Sequence, residues 1–374
     1  MIYFDNAATT WPKPRSVINS VAESMKHIAA NPGRSGHKMA LMAGEKVFET
    51  REIIASFFGM DNPCGVIFTL NATHALNIVI FGLLNAGDHV ICTRMDHNSV
   101  LRPVCAMEDV EYSFAGAQTD GTVLPENIES LIKPNTRLIV MTHASNVCGT
   151  LEDAASVGAI AHKYGIPFLL DASQSAGIID INMQRDNIDF LVSPGHKALY
   201  GPMGTGILCI NSDLPIKPFM YGGTGSYSDM LSQPEEIPDK FECGTLNFPG
   251  ICGLGAGIQF ISALGISNIY KHELKLSEYL LGALSDMKDY NIIGKNTAKD
   301  RVGVISFTHN KHSAAFLADY LSSSYGIATR AMYHCAYPSH EALGTSDGGT
   351  VRASFGLFNT IGQIKTLLYA LEHI

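Results

Sequence analysis

The chain has 374 residues, more than one average domain and enough to bury a large core. Hydrophobic residues make up 46% and charged residues 16%, a globular balance with an apolar lean that suits a buried parallel sheet or a broad subunit contact. The formal charge of −9 comes without any run of like charges, which argues against nucleic-acid binding, and the longest apolar stretch, near residues 75–84, is too short to span a bilayer.

The opening Met1-Ile2-Tyr3-Phe4-Asp5 has neither a basic nor a long apolar region, so no secretory signal is expected. Residues 3–10 read as an extended arm, placed with the C-terminal unit or at the mouth of a site. Strand-like apolar runs follow at 66–70, 89–93, 137–142, 167–171, 190–193 and 206–210. Amphipathic stretches such as 75–84 and 154–164 lie between them. This alternation predicts an α/β fold with a large, mostly parallel sheet covered by helices on both faces. From 251 to 290 the pattern is helical. A smaller α/β unit then shows a strand at 302–307 and helices near 313–323 and 361–373. The expected division is a large domain over 11–264 and a small one over 265–374, joined by the arm 1–10.

The eight cysteines (64, 92, 105, 148, 209, 243, 252 and 335) form no Cys-x-x-Cys pair, so neither a metal ribbon nor a thioredoxin-like motif is encoded. Most read as reduced, buried thiols of a cytoplasmic protein, and no metal site is expected.

In open parallel sheets ligands sit beyond the carboxyl ends of the strands. Thr69-Leu70-Asn71-Ala72-Thr73 joins the first run to a helix, whose free N–H groups suit a phosphate, with Thr73 adding a hydroxyl. An ordinary N-cap gives the same pattern. His97 follows the second run, where an imidazole can stack on an aromatic ligand or serve as a surface hydrogen-bonding group. Asn146, in Ser145-Asn146-Val147-Cys148-Gly149, is either an amide donor to a ligand oxygen or turn chemistry, and Gln174 reads alike.

Asp171 closes the run Phe168-Leu169-Leu170, where a carboxylate needs a cationic partner. Lys197 follows in Ser193-Pro194-Gly195-His196-Lys197, ahead of the glycine-rich passage 200–206. A lysine that forms a Schiff base and a carboxylate that keeps a pyridine nitrogen protonated are what pyridoxal phosphate chemistry requires. Cys335 sits beside His334 in a polar loop; it is either an exposed thiol or, with a cation near it, a nucleophile. Arg352, inside the apolar run Val351-Arg352-Ala353, needs an anion: a substrate carboxylate or a structural ion pair.

Together these residues resemble the class V aminotransferase family of fold-type-I pyridoxal phosphate enzymes, and within it the cysteine desulfurases, over essentially the whole chain. Residues 3–10, Ala72-Thr73, His97, Ser145-Asn146, Asp171-x-x-Gln174 and His196-Lys197 match the family's motifs in order. Gly326-Ile327-Ala328-Thr329-Arg330 with His334-Cys335-Ala336 is similar to the nucleophile loop, and Arg352-Ala353-Ser354 to the carboxylate-binding strand. Gly244-Thr245-Leu246-Asn247 is similar to the segment that reaches the partner subunit's cofactor, which implies a homodimer. The 17 residues from Cys335 to Arg352 resemble the short-loop, Suf-type group II branch, which implies a separate sulfur-acceptor protein.

The resemblance implies a desulfurase that turns L-cysteine into L-alanine and leaves a persulfide on Cys335. Lys197, Cys335, His97 and Asp171 are the implied catalytic residues. Ala72, Thr73, His97, Asn146, Asp171, Gln174, Ser193, His196, Lys197 and Thr245 are the implied cofactor ligands, and Arg352, Arg330, Asn6 and Ala7 hold the substrate. Selenocysteine lyase, another class V lyase or aminotransferase, and a non-catalytic sulfur-relay partner are the alternatives. Two positions depart from the pattern. Pro194 stands where a hydroxyl residue is usual, so either Ser193 replaces it through a bulged turn or one phosphate bond is lost. Met332 and Tyr333 stand where Gly and His are common, which implies a stiffer loop or a narrower entrance.

Overall fold

The computed structural model describes residues 1–33 and 36–374. In chain order its strands are β1 (Ile2–Tyr3), β2 (Val66–Thr69), β3 (His89–Thr93), β4 (Glu111–Ala115), β5 (Thr136–Thr142), β6 (Phe168–Asp171), β7 (Phe190–Pro194), β8 (Gly206–Ile210), β9 (Tyr290–Ile293), β10 (Val304–His309), β11 (Ile327–Ala328), β12 (Arg330–Met332) and β13 (Thr350–Ser354).

Strands β2 to β8 form one seven-stranded sheet in the order β2-β8-β7-β6-β5-β3-β4. Only β8 runs against its neighbours. The central strands β6 and β7 are buried along their whole length, because apolar clusters cover both faces of the sheet. That is why they read as continuous apolar runs. Edge strand β4 carries exposed Glu111 and Tyr112, so it has no apolar signature and was not expected from the sequence.

The helix expected from 75 begins earlier, at Ala72–Leu83, because the Asn71 side chain accepts from the His74 N–H and caps it. The expected strand at 302–307 is β10, two residues later, and the run 336–349, expected as loop, contains the short helix Tyr337–Ala342.

A second sheet, β12-β13-β10-β9, is antiparallel throughout. It shares an apolar cluster with helices Ile266–Asp286, Ala314–Tyr325 and Ile361–Glu372. The N-terminal arm joins this unit: β1 pairs with β11, Phe4 enters the cluster, and Asp5 bridges to Ser354.

Among the described residues no single helix is long and apolar enough to cross a membrane. Helices Phe248–Leu264 and Ile266–Asp286 together have the length and composition but bend by 80°, and the first is packed against Arg15–His27 and Lys38–Phe57.

Glu273, on helix Ile266–Asp286, is 2% exposed, and among the described residues its carboxylate accepts only the Gly303 N–H, at 3.3 Å. Burial pushes its pKa up from 4.5 to about 8. At pH 7 the folded chain holds this proton and the unfolded chain does not. Stability is therefore fully present below pH 4.5 and is lost as pH rises towards 8. Glu273→Gln should flatten this loss and raise stability at pH 8.5 by about 1 kcal/mol or more. Urea midpoints at pH 5, 7 and 8.5 test this; parallel pH curves for the two proteins would sink it.

Candidate active site

The carboxyl ends of β2, β3, β5, β6 and β7 open into one cavity of about 230 Å³. Ala72, Thr73, His97, Asn146, Asp171, Gln174, His196 and Lys197 all line it, and so do Ala7, Arg330 and Arg352 from the N-terminal arm and the second sheet. These strands run in the same direction, which puts their carboxyl ends on a single edge of the sheet, and that is how residues far apart in sequence converge.

At one end the helix Ala72–Leu83 begins. The Ala72 and Thr73 backbone N–H groups have no acceptor among the described residues, and the positive end of the helix dipole lies there. The Thr73 and Ser99 hydroxyls are 2.8 Å apart beside them. His196 adds a buried Nδ1 without a partner, and burial, then the cations of Lys197 and Lys13, lower its pKa to about 4.

Asp171 is 3% exposed. One carboxylate oxygen accepts the Ser173 N–H at 2.9 Å and the other has no hydrogen bond among the described residues. The Lys197 amine makes no hydrogen bond among the described residues. Burial lowers its pKa to about 8, with Asp171 opposing the shift and Arg352 and Arg330 adding to it. The Ser99 N–H donates to His97 Nδ1 at 3.1 Å, so the neutral ring carries its proton on Nε2. Burial holds the His97 pKa down to about 4, against the pull of Asp171. Asn146 donates to the His334 carbonyl at 2.7 Å and Gln174 to the Ala7 carbonyl at 3.0 Å, and each amide keeps one N–H to offer.

Cys335 is exposed, and Arg330 Nη2 donates to its sulfur at 3.4 Å. Met332, His334 and Cys335 all have positive φ, at 80°, 49° and 62°. Each costs on the order of 1–3 kcal/mol for an L side chain. The loop is stapled to hold this: Asn98 N–H donates to the Cys335 carbonyl at 2.9 Å, and His334 Nε2 pairs with Thr350 at 2.9 Å. Met332 thus occupies a backbone conformation that glycine adopts freely.

Arg352 is 1% exposed. Nη2 pairs with Asp5 at 2.9 Å and Nη1 donates to the Asn146 carbonyl at 2.8 Å, while Nε is buried without a partner among the described residues. The structural ion pair and an open donor therefore coexist on one side chain.

Two expectations need correction. Ser193 does not line the cavity: β7 keeps a regular register with β8 through Pro194, so there is no bulge. Successive side chains face opposite ways; Pro194 meets the cavity, and the Ser193 hydroxyl is buried against the Pro194 carbonyl at 3.4 Å. Asn6 does not line the cavity either; its amide is spent on Ser354 and Asn359, at 3.0 and 3.1 Å. Thr245, expected at a partner subunit's site and not in this one, is exposed outside this cavity and takes a 3.4 Å bond from Asn31.

Asp96 was not anticipated from the sequence. It is fully buried and accepts the N–H groups of Thr93 and Thr142, both at 2.6 Å, which clips the ends of β3 and β5 together beside His97. An acid three residues past the end of an apolar strand was the available signal.

These groups fit pyridoxal phosphate: free helix N–H donors and an orphaned imidazole nitrogen for a phosphate, an open carboxylate oxygen for a ring nitrogen, and an uncommitted amine for an aldehyde.

The family model for aminotransferase class V matches residues 2–367. A probable cysteine desulfurase of Methanothermobacter thermautotrophicus is 36% identical over 382 aligned positions, covering 100% of this chain and 94% of the relative. A cysteine desulfurase of Escherichia coli O8 is 34% identical, covering 100% of this chain and 93% of the relative. Among solved structures, the apo cysteine desulfurase of Thermococcus onnurineus NA1 superposes with a TM-score of 0.93 at 32% identity, over 100% of this chain and 94% of that one.

Proposed function

Because the chain belongs to the aminotransferase class V family, we propose that it is a cysteine desulfurase, which takes sulfur from L-cysteine with pyridoxal phosphate and releases L-alanine. The observation that carries this is the exposed Cys335 sulfur, held by Arg330 on a strained loop beside a cavity lined by Lys197 and Asp171.

The N–H groups of Ala72 and Thr73 with His196 would hold the phosphate, Asp171 the ring nitrogen, Asn146 and Gln174 the phenolic oxygen, and His97 the ring face. Without Ser193 the phosphate has one protein bond fewer. When bound, the cofactor supplies an aldehyde that Lys197 captures and a cationic ring that takes up electrons.

The chain's own groups do the rest. Arg352 Nε receives the substrate carboxylate. Lys197, with its pKa near 8, moves the proton at the substrate Cα. The Cys335 sulfur attacks the substrate sulfur: an S–S bond forms, the substrate C–S bond breaks, and its electron pair stays with the carbon skeleton, which takes a proton and leaves as alanine. The persulfide stands at the surface, where an acceptor thiol reaches it, and the short loop supports a place in the group II branch. Residues 11–264 form the cofactor unit and 265–374 with 1–10 the second, which has its own apolar cluster.

Exposed Phe219, Met220, Tyr221, Met230 and Leu231 lie on the same irregular segment as Thr245, which supports a homodimer with Thr245 at the partner's site. Sedimentation showing only a 40.3 kDa species at micromolar concentration would remove it. A persulfide-forming thiol needs a reducing compartment, hence a cytoplasmic location; recovery of the native protein from an oxidising compartment would contradict it.

Titrating the cofactor-loaded protein with L-cysteine should change its visible absorbance and yield alanine and protein-bound sulfur in equal amounts. Protein that stays colourless with pyridoxal phosphate, or that forms no alanine, would defeat the proposal. Selenocysteine and cysteine sulfinate as parallel substrates separate the related lyases.

A further inference from the structure

The carbonyl of His196, the residue before Lys197, collects three donors from the N-terminal arm. Lys13 Nζ reaches it at 2.6 Å, Thr9 Oγ1 at 3.2 Å and the Thr10 N–H at 3.1 Å. Lys13 is half-buried and has no carboxylate within ion-pairing distance among the described residues. Burial alone lowers its pKa to about 8. An ammonium held out of water without a counter-ion costs stability, so its placement is not explained by folding.

The same arm is tied at its other end to Arg352. Asp5 pairs with that guanidinium at 2.9 Å, and the Asp5 carbonyl accepts the N–H groups of Ala8 and Thr9, at 3.1 and 3.4 Å. Tyr3 closes the turn by donating to the Thr9 carbonyl at 2.9 Å. A continuous run of hydrogen bonds therefore joins the proposed carboxylate site to the turn that carries the reactive lysine. The turn itself is compact. Gly201 N–H donates to the Gly195 carbonyl at 2.7 Å and Tyr200 N–H to the Lys197 carbonyl at 2.9 Å, and a Cβ at Gly195 would lie 2.2 Å from Thr205 Oγ1.

We propose that Lys13 is a positioning residue for Lys197, and that residues 5–13 form a strap through which the occupancy of Arg352 is felt at the Lys197 turn. The catalytic half of this rests on the desulfurase reading; the structural half does not. A substrate carboxylate arriving at Arg352 Nε brings a second anion to the guanidinium that Asp5 holds through Nη2, and any shift of Asp5 pulls on the segment that grips the His196 carbonyl. Lys13 touches no reacting atom and acts through the backbone that aims the Lys197 side chain.

The test combines two readouts on Lys13→Met and Lys13→Arg. In cofactor-free protein, amide hydrogen exchange across residues 195–201 should speed up about tenfold or more in Lys13→Met, with β5 and β6 unchanged, because a charge-assisted bond to the turn is lost. In the loaded enzyme, kcat for alanine formation should fall about 10–100-fold with KM for L-cysteine within about twofold, as expected of a misaimed group. Lys13→Arg should recover most of both, since the guanidinium also donates. If Lys13→Met does not fold, Thr9→Val removes a second donor from the same carbonyl and should show the same pattern more weakly. Asp5→Asn reads the transmission: exchange should rise at 195–201 as well as at Ala8 and Thr9.

Unchanged exchange at 195–201 in Lys13→Met overturns the positioning role, whatever kcat does. A response to Asp5→Asn confined to the arm overturns the strap. The exchange arm uses neither cofactor nor cysteine, so it stands apart from any failure of the desulfurase reading.

Discussion

Lys197→Ala is expected to lose covalent capture of pyridoxal phosphate and to lower alanine formation at least about 10³-fold, within the range for a group that both moves protons and fixes a reactant. The physical argument is one of elimination between two amines. Burial gives both Lys13 and Lys197 a pKa near 8, so both are partly neutral and nucleophilic at physiological pH. Lys13, however, is committed to the His196 carbonyl and does not line the cavity. Lys197 lines it, makes no hydrogen bond among the described residues, and faces the field of Asp171. Borohydride reduction of loaded wild-type protein followed by peptide mapping should place the adduct on residue 197. An adduct on residue 13, or a Lys197→Ala protein with undiminished turnover, would reverse the assignment.

Cys335→Ala should separate cofactor chemistry from sulfur removal. Its visible absorbance and its spectral response to L-cysteine should match wild type, since Cys335 is not among the residues lining the cavity. Sulfur release and alanine formation should fall about 10²-fold or more, because a thiol added in solution cannot match one held in place at high effective concentration. Arg330, whose only side-chain bond among the described residues is to this sulfur, gives the intermediate case. Arg330→Met should keep the absorbance and lose part of the rate. Undiminished sulfide production by Cys335→Ala would mean that the sulfur leaves by another route.

Much of the site was legible in the amino-acid order alone. His97, Asn146, Asp171 and Lys197 follow strands that announce themselves as apolar runs, and the sheet brings them to one cavity. The failures have a common origin. Ser193 and Pro194 are neighbours in sequence, and only the regular pairing of β7 with β8 decides which of them faces the cavity. Asn6 looked like a substrate ligand until Ser354 and Asn359 claimed its amide. Arg352 was open to either a substrate carboxylate or an ion pair; the fold supplies Asp5, 347 residues away, and still leaves Nε open. Asp96 and Lys13 were passed over because their partners are backbone groups, which carry no side-chain signature.

Local residue patterns were enough to specify the succession of strands and helices, the parallel sheet and the edge on which the reactive side chains would gather. Those follow from periodicity and from the handedness of short crossovers, which neighbouring residues encode. Long-range packing settled which of those side chains are free to react, how Cys335 is held on a left-handed backbone, and how residues 5–13 contact both Arg352 and the turn before Lys197. Those depend on hydrogen bonds between segments hundreds of residues apart, and a buried donor or acceptor is available for chemistry only when no such distant partner has already satisfied it.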